Sequence, residues 1–218
     1  MPRSLDRAVR FRALSALAVI CLARISAAEE GRPPRLVIRF YDTTRASRET
    51  LSFAGEELIR ILRRAGIDAV WHDCGGAPPA DAICREPAGP LDVILRILPE
   101  PGPGSTESDR TAGFSIVPDD GSPGVVAVVF RDRARRAAGR STEAWTFRIL
   151  GLLAAHEVGH LLLGSQSHSS FGIMRPELFE KSLESVSWGQ LVFGRDEAAR
   201  MRAELRRRGR LSIARLAE

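Results

Sequence analysis

The chain has 218 residues, enough for one sizeable domain or two small ones, and 44% of them are hydrophobic, an ordinary share for a globular protein. Its formal net charge is +5, but the first 28 residues hold five arginines and one aspartate, so the rest carries 27 basic and 26 acidic residues, a net of +1. A charge so close to zero gives no reason to expect a nucleic-acid partner.

The first 28 residues have the pattern of a secretory signal peptide. Four arginines open the segment, an apolar run covers Ala13–Leu22, and Ser26-Ala27-Ala28 offers small residues for cleavage. The run is too short to span a bilayer. The alternative is an N-terminal helix that stays in the mature fold. We expect residues 1–28 to direct export, periplasmic or fully secreted, and residues 29–218 to form a single domain without a membrane span.

Two cysteines remain after that cleavage, Cys74 and Cys84, both in a loop rich in glycine and proline. In an oxidising compartment, two such cysteines are expected to form a local disulfide. The alternative is a metal site built on His72 and Cys74, but that pair lacks enough partners to hold an ion. The spacing therefore predicts a Cys74–Cys84 disulfide.

The first half of the chain has the pattern of strands around one helix. Bulky β-type residues predict strands over Arg35–Tyr41, Ile67–Trp71 and Leu91–Leu98. Between the first two, Ser47–Ala65 has apolar residues at helical spacing, and Gly66 is a natural stop for the helix. This order is a βαβ unit followed by a third strand.

A hairpin and a long helix follow. Strands are predicted over Phe114–Val117 and Val125–Phe130, and the turn between them is short enough to make a hairpin. The second strand is apolar throughout, so we expect it to be buried on both faces. Arg131–Arg140 is charged and is expected to be exposed. Ser141 is a good N-cap for a helix over Thr142–Leu163.

Apolar residues go most of the way round this long helix, as in a central buried helix. Gly164 ends it, Arg175–Gly194 is irregular, and Asp196–Arg208 has the spacing of a last helix. No internal repeat interrupts this order. The sequence predicts one α/β domain.

The long helix carries the motif His156-Glu157-Val158-Gly159-His160. Histidines four apart lie on one helix face, so both rings can reach the same ion, with the glutamate beside it as a general base. A catalytic zinc ion takes three protein ligands and a water. His168 is the candidate for the third ligand, because Gly164 can turn the chain back under the helix. The alternative is a core helix with two hydrogen-bonded histidines.

The stretch HEVGHLLLGSQSHSSFGIM, from His156 to Met174, resembles the metzincin clan of zinc metallopeptidases, such as matrixins and archaemetzincins. Their pattern is HExxHxxGxxH, followed by a methionine in a tight turn beneath the zinc. The resemblance makes Gly164 the turning glycine, His168 the third ligand and Met174 the Met-turn residue.

Two spacings depart from that pattern. The glycine falls one residue later than usual, and the third histidine two residues later. Glu177 or Glu180, in the manner of gluzincins, is the alternative to His168 as the third ligand. Met174 can equally be a plain core methionine.

The resemblance implies a mixed five-stranded sheet with an antiparallel edge strand, two long helices, a Met-turn and a C-terminal helix. Phe114–Val117 would be the edge strand, where a protein or peptide substrate pairs in extended form. The implied activity is that of a zinc endopeptidase with one catalytic Zn²⁺, which uses a zinc-activated water and Glu157 as general base. The alternative is a catalytically weak or inactive zinc-containing binding module of the same fold.

Overall fold

The computed structural model describes residues 34–76, 79, 81–100, 111–176 and 191–216. Within them, five strands form one sheet: β1 (Leu36–Asp42), β2 (Ala69–Asp73), β3 (Asp92–Leu98), β4 (Gly113–Ile116) and β5 (Val126–Phe130). Their order across the sheet is β2-β1-β3-β5-β4. All neighbours are parallel except β4, which runs antiparallel to β5 at the edge. The predicted mixed α/β fold, with its hairpin and antiparallel edge strand, is confirmed.

Four helices accompany the sheet in the described part of the chain: α1 (Arg48–Arg64), α2 (Arg131–Ala138), α3 (Glu143–Leu163) and α4 (Arg195–Leu216). A short 3-10 helix covers Ala82–Arg85. The described residues belong to one compact unit that begins at Pro34. The predicted signal peptide, residues 1–28, lies outside the described residues.

Two helix predictions were wrong in detail. The charged segment Arg131–Arg140, expected to be exposed, contains helix α2, because Ala134, Ala137 and Ala138 share one face and are buried. The N-cap of α3 is Thr142 rather than Ser141: the Thr142 side chain accepts a hydrogen bond from the Trp145 N–H. Either residue type can cap a helix, so neighbouring candidates cannot be separated by sequence.

One face of the sheet is covered by helices. Residues at every second position of β1, β3 and β5 are at most 2% exposed: Leu36, Ile38, Phe40, Val93, Leu95, Ile97, Ala127 and Val129. They pack with α1 and α3 into one core cluster. Strand β5 is buried on both faces, as predicted, because Val128 and Phe130 on its other side are at most 5% exposed.

Helix α3 is the central element of the core. Among the described residues, it is the one helix long and apolar enough to cross a membrane, yet 89% of its most apolar window is buried inside the protein. It crosses α1 at Gly151, where a Cβ atom would lie 2.5 Å from the Ala54 carbonyl oxygen. The two backbones therefore meet at a point where no side chain fits.

The last turn of α3 is capped by α4. A helix leaves its final carbonyls without internal partners. Arg208, fully buried, donates from Nη2 to the Leu161 carbonyl at 2.8 Å, and Arg200 donates to the Leu163 carbonyl at 3.3 Å. Arg208 also pairs with Glu204 at 2.8 Å. The arginines near the C-terminus, which alternate with glutamates as on a solvated helix, thus include one that is part of the core.

A disulfide joins Cys74 and Cys84, whose Cα atoms are 5.4 Å apart. It ties the end of β2 to the 3-10 helix. The His72 ring next to it faces Asp81, with 2.8 Å between Nδ1 and Oδ2. Because the Cys74 sulfur is in the disulfide, a metal site on His72 and Cys74 is not formed.

The α1–α3 crossing gives a prediction for Gly151, with Gly209 in α4 as the matched control. Gly151→Ala should lower the free energy of unfolding by about 1–3 kcal/mol, because the methyl group forces the two helices apart. Gly209→Ala in α4 should leave it unchanged or raise it by up to about 1 kcal/mol, because a Cβ there meets Pro34 at an ordinary 3.4 Å and alanine favours the helix. Urea unfolding of both variants measures the difference. Equal stability of the two would contradict the close crossing.

Candidate metal centre

Three histidines converge at the C-terminal part of α3. His156 and His160, one turn apart on the helix, are 6% and 2% exposed. His168 reaches them from the loop after the helix and is itself exposed. One nitrogen atom from each ring lies within 4.8 Å of the other two. The structure thus brings together the three histidines that the sequence singled out.

Two backbone carbonyls determine which nitrogen of each helical histidine carries the proton. The His156 Nδ1 lies 2.8 Å from the Ile173 carbonyl oxygen, and the His160 Nδ1 lies 2.8 Å from that of Ser165. A carbonyl oxygen only accepts, so each Nδ1 must donate. The Nε2 atom of each neutral ring is therefore left with a lone pair.

These two lone pairs face each other across 3.1 Å, the distance between the Nε2 atoms of His156 and His160. Burial lowers the pKa of His156 from 6.5 to about 4 and also lowers the pKa of His160. Partial loss of water around its ring lowers the pKa of the more exposed His168, so all three rings are neutral at pH 7. Two neutral acceptors at this distance repel unless a cation lies between them. Tetrahedral zinc, with Zn–N bonds of about 2.0–2.1 Å, holds ligand nitrogens about 3.3 Å apart, so the donor set fits a metal ion.

Gly164 ends α3 and turns the chain so that the carbonyl of the next residue, Ser165, faces the histidines. It adopts the left-handed conformation, with φ +62° and ψ 33°, which costs little without a Cβ atom. Its N–H bonds to the His160 carbonyl. The turn then directs the Ser165 carbonyl at the His160 ring, so the residue that ends the helix also positions a histidine.

The loop that carries His168 is anchored to α4. The Ser169 hydroxyl donates to Oε1 of Glu197, and the other oxygen of Glu197 accepts the Gly194 N–H at 2.6 Å. The Ser169 N–H bonds to the Met174 carbonyl at 2.9 Å. Sequence reasoning missed Glu197, because a single glutamate on a charged helix, 28 residues beyond its partner, gives no local signal.

Met174 packs against α3 at Gly159. It is fully buried, and a Cβ atom on Gly159 would come within 2.7 Å of its sulfur. Gly159 stands between His156 and His160 in the motif, so the methionine packs against the backbone that carries both rings. The preceding residue, Ile173, supplies the carbonyl that orients His156.

Glu157 is 5% exposed and lies beside the edge strand. A Cβ atom on Gly113, the first residue of β4, would lie 3.1 Å from its Oε1 atom. The missing side chain of Gly113 therefore leaves room for the carboxylate between α3 and β4. Sequence reasoning missed this role of Gly113, because its contact with Glu157 forms only when the hairpin folds onto the helix.

The rival third ligands, Glu177 and Glu180, lie outside the described residues. No protein-family model matches the chain, and no curated protein matches it at a significant level of similarity. The three-histidine cluster can bind a metal ion, and the mixed sheet with its helices positions it. These features are compatible with a zinc site without being specific to one clan of proteins.

The buried histidines predict a pH dependence for the metal-free protein. Their folded pKa values lie below the unfolded value of 6.5, so the unfolded chain binds more protons as the pH falls. The free energy of unfolding should drop between about pH 6.5 and pH 4, with His156 contributing on the order of 3 kcal/mol. Urea unfolding in chelator at several pH values measures this. His156→Gln should flatten the profile; an unchanged slope in this variant would contradict the assignment.

The third ligand is tested by zinc retention. His168→Ala should weaken zinc binding by more than about 100-fold, because a three-ligand site becomes a two-ligand site. Competition with a chromophoric chelator gives the affinity. His72→Ala is the matched control, since that ring lies outside the cluster. Wild-type affinity in His168→Ala would move the third ligand to Glu177 or Glu180.

Proposed function

We propose that the chain is an exported zinc endopeptidase with a metzincin-like fold. The observation that carries the proposal is the pair of Nε2 lone pairs facing each other at 3.1 Å, with a buried glutamate next in sequence. His156, His160 and His168 would hold the ion. Imidazole nitrogens suit zinc, which takes three protein ligands at hydrolytic sites and four at structural ones.

Glu157 would be the catalytic residue of the protein. Bound zinc supplies Lewis-acid chemistry: it polarises a carbonyl and makes water more acidic. Glu157, on the same turn as His156 and beside β4, takes up the proton released by the attacking water. It then returns that proton to the leaving amine, so the peptide bond is hydrolysed without a covalent intermediate.

The outer edge of β4, which pairs with no other strand in the described part of the chain, supports an extended peptide as the substrate. It lies beside Glu157, and main-chain pairing to such an edge binds a peptide backbone independently of its sequence. A strand so placed would present its carbonyl groups beside the general base. Met174, packed under the ligand helix, would keep the two helical histidines at fixed separation.

Export is supported by two independent features. The first 28 residues have the composition of a signal peptide, and the Cys74–Cys84 disulfide suits an oxidising compartment. These features are compatible with either a periplasmic or a fully secreted protein.

Replacement of the general base tests the proposal. Glu157→Gln should keep about one zinc ion per chain and lose activity by about 10²–10⁴-fold, because proton transfer is removed while the ligands remain. The assay is cleavage of a mixture of unfolded proteins, with new termini identified by mass spectrometry. Glu143→Gln, on the exposed first turn of the same helix, should cleave like wild type.

Other outcomes distinguish the alternatives. Zinc bound by a wild-type protein that cleaves no peptide would identify a binding module of the same fold. A wild-type protein that retains no zinc would overturn the metal centre itself.

A further inference from the structure

The backbone groups of every second residue of β4 point to its outer edge, away from β5. The Phe130 N–H donates to the Ala112 carbonyl at 3.0 Å, which makes this a hydrogen-bonded pair of the antiparallel ladder. Such pairs alternate along two strands. With the register Gly113↔Val129 and Ser115↔Ala127, the groups of Gly113 and Ser115 point away from β5. They are the groups that an added strand would use.

One of these acceptors is already occupied by a side chain. The Gln166 amide donates from Nε2 to the Ser115 carbonyl oxygen at 2.7 Å. This contact confirms independently that the Ser115 carbonyl faces outward. Gln166 belongs to the loop after α3 and stands two residues before His168. A peptide that pairs with β4 needs the same oxygen for its own N–H group.

The Gln166 bond is one of several contacts that hold the loop in place. The Ser169–Glu197 and Ser169–Met174 contacts anchor the same loop from the other side. Gln166 itself is exposed, so its amide can exchange the carbonyl for water at small cost. At the end of the strand, Ile116 is 54% exposed, an apolar surface that an added strand would cover.

We propose that Gln166 is a displaceable occupant of the substrate edge. An extended peptide binds to β4 by exchanging one of its own N–H groups for the Gln166 amide at the Ser115 carbonyl. Gln166 therefore lowers the affinity for every extended peptide and favours those that pair with both Gly113 and Ser115. The inference rests on the proposed function, because it assigns a role at the same edge strand.

The experiment measures peptide affinity without cleavage. The protein is zinc-loaded Glu157→Gln, alone or with Gln166→Leu, which keeps the size of the side chain and removes its donor. The probe is a labelled, end-capped octapeptide of alternating valine and lysine. Two further versions carry N-methyl groups on alternate amides, in either frame, so that one version cannot donate to the Ser115 carbonyl. Fluorescence anisotropy gives each Kd.

Gln166→Leu should tighten binding of the unmodified peptide by about three- to tenfold, the range expected for one competing hydrogen bond. It should give no gain for one of the two N-methylated frames. Ser167→Ala is the matched control: within the described part of the chain its side chain bonds to Ser165 in the same loop, so the Kd should not change. Zinc content should be equal in all variants.

An unchanged or weaker Kd in Gln166→Leu would overturn the inference, as would the absence of peptide binding by every variant. Weaker binding accompanied by loss of zinc would show instead that Gln166 positions the His168 loop. The proposed peptidase fails separately: if the wild-type protein cleaves nothing while Gln166→Leu still tightens binding, only the hydrolytic function is rejected.

Discussion

Two hydrogen bonds from imidazole rings to backbone carbonyls determine the chemistry of this protein. Ile173 and Ser165 accept the Nδ1 protons of His156 and His160, and this leaves both Nε2 lone pairs directed at one point. Both carbonyls come from the segment after α3. The site therefore exists only when the chain has turned at Gly164 and returned beneath the helix. The arrangement of the histidine nitrogens and the fold of that loop therefore form together.

The long helix serves two purposes along its length. Its first half packs on α1 through the close approach at Gly151, and its last turns carry the histidines. Polar groups in such a helix need partners, since an unsatisfied buried group is costly. Arginines of α4 supply them for the final carbonyls. Helix α4 thus stabilises the end of α3 and, through Glu197, the loop that brings His168.

What sequence patterns predict here is local or periodic. Strand alternation, the apolar α3 and the His-Glu-x-x-His spacing all repeat at intervals that a single element imposes, and each was found near its predicted position. Helix α2 was missed because its four arginines and one aspartate mask the pattern of three buried alanines. Gln166 and Glu197 were missed because a single polar side chain that contacts a distant strand or helix produces no periodic pattern in the sequence. The three clustered histidines were predictable from the sequence, but the residues that position them were not.

An exposed sheet edge carries a risk as well as a use. Unpaired strand groups with an apolar neighbour such as Ile116 are a template on which a second copy of the same chain can add its own strand. A side-chain amide on the Ser115 carbonyl discourages that pairing, and β4 has only four residues with which to sustain it. The same contact would thus oppose self-association of the protein through this edge.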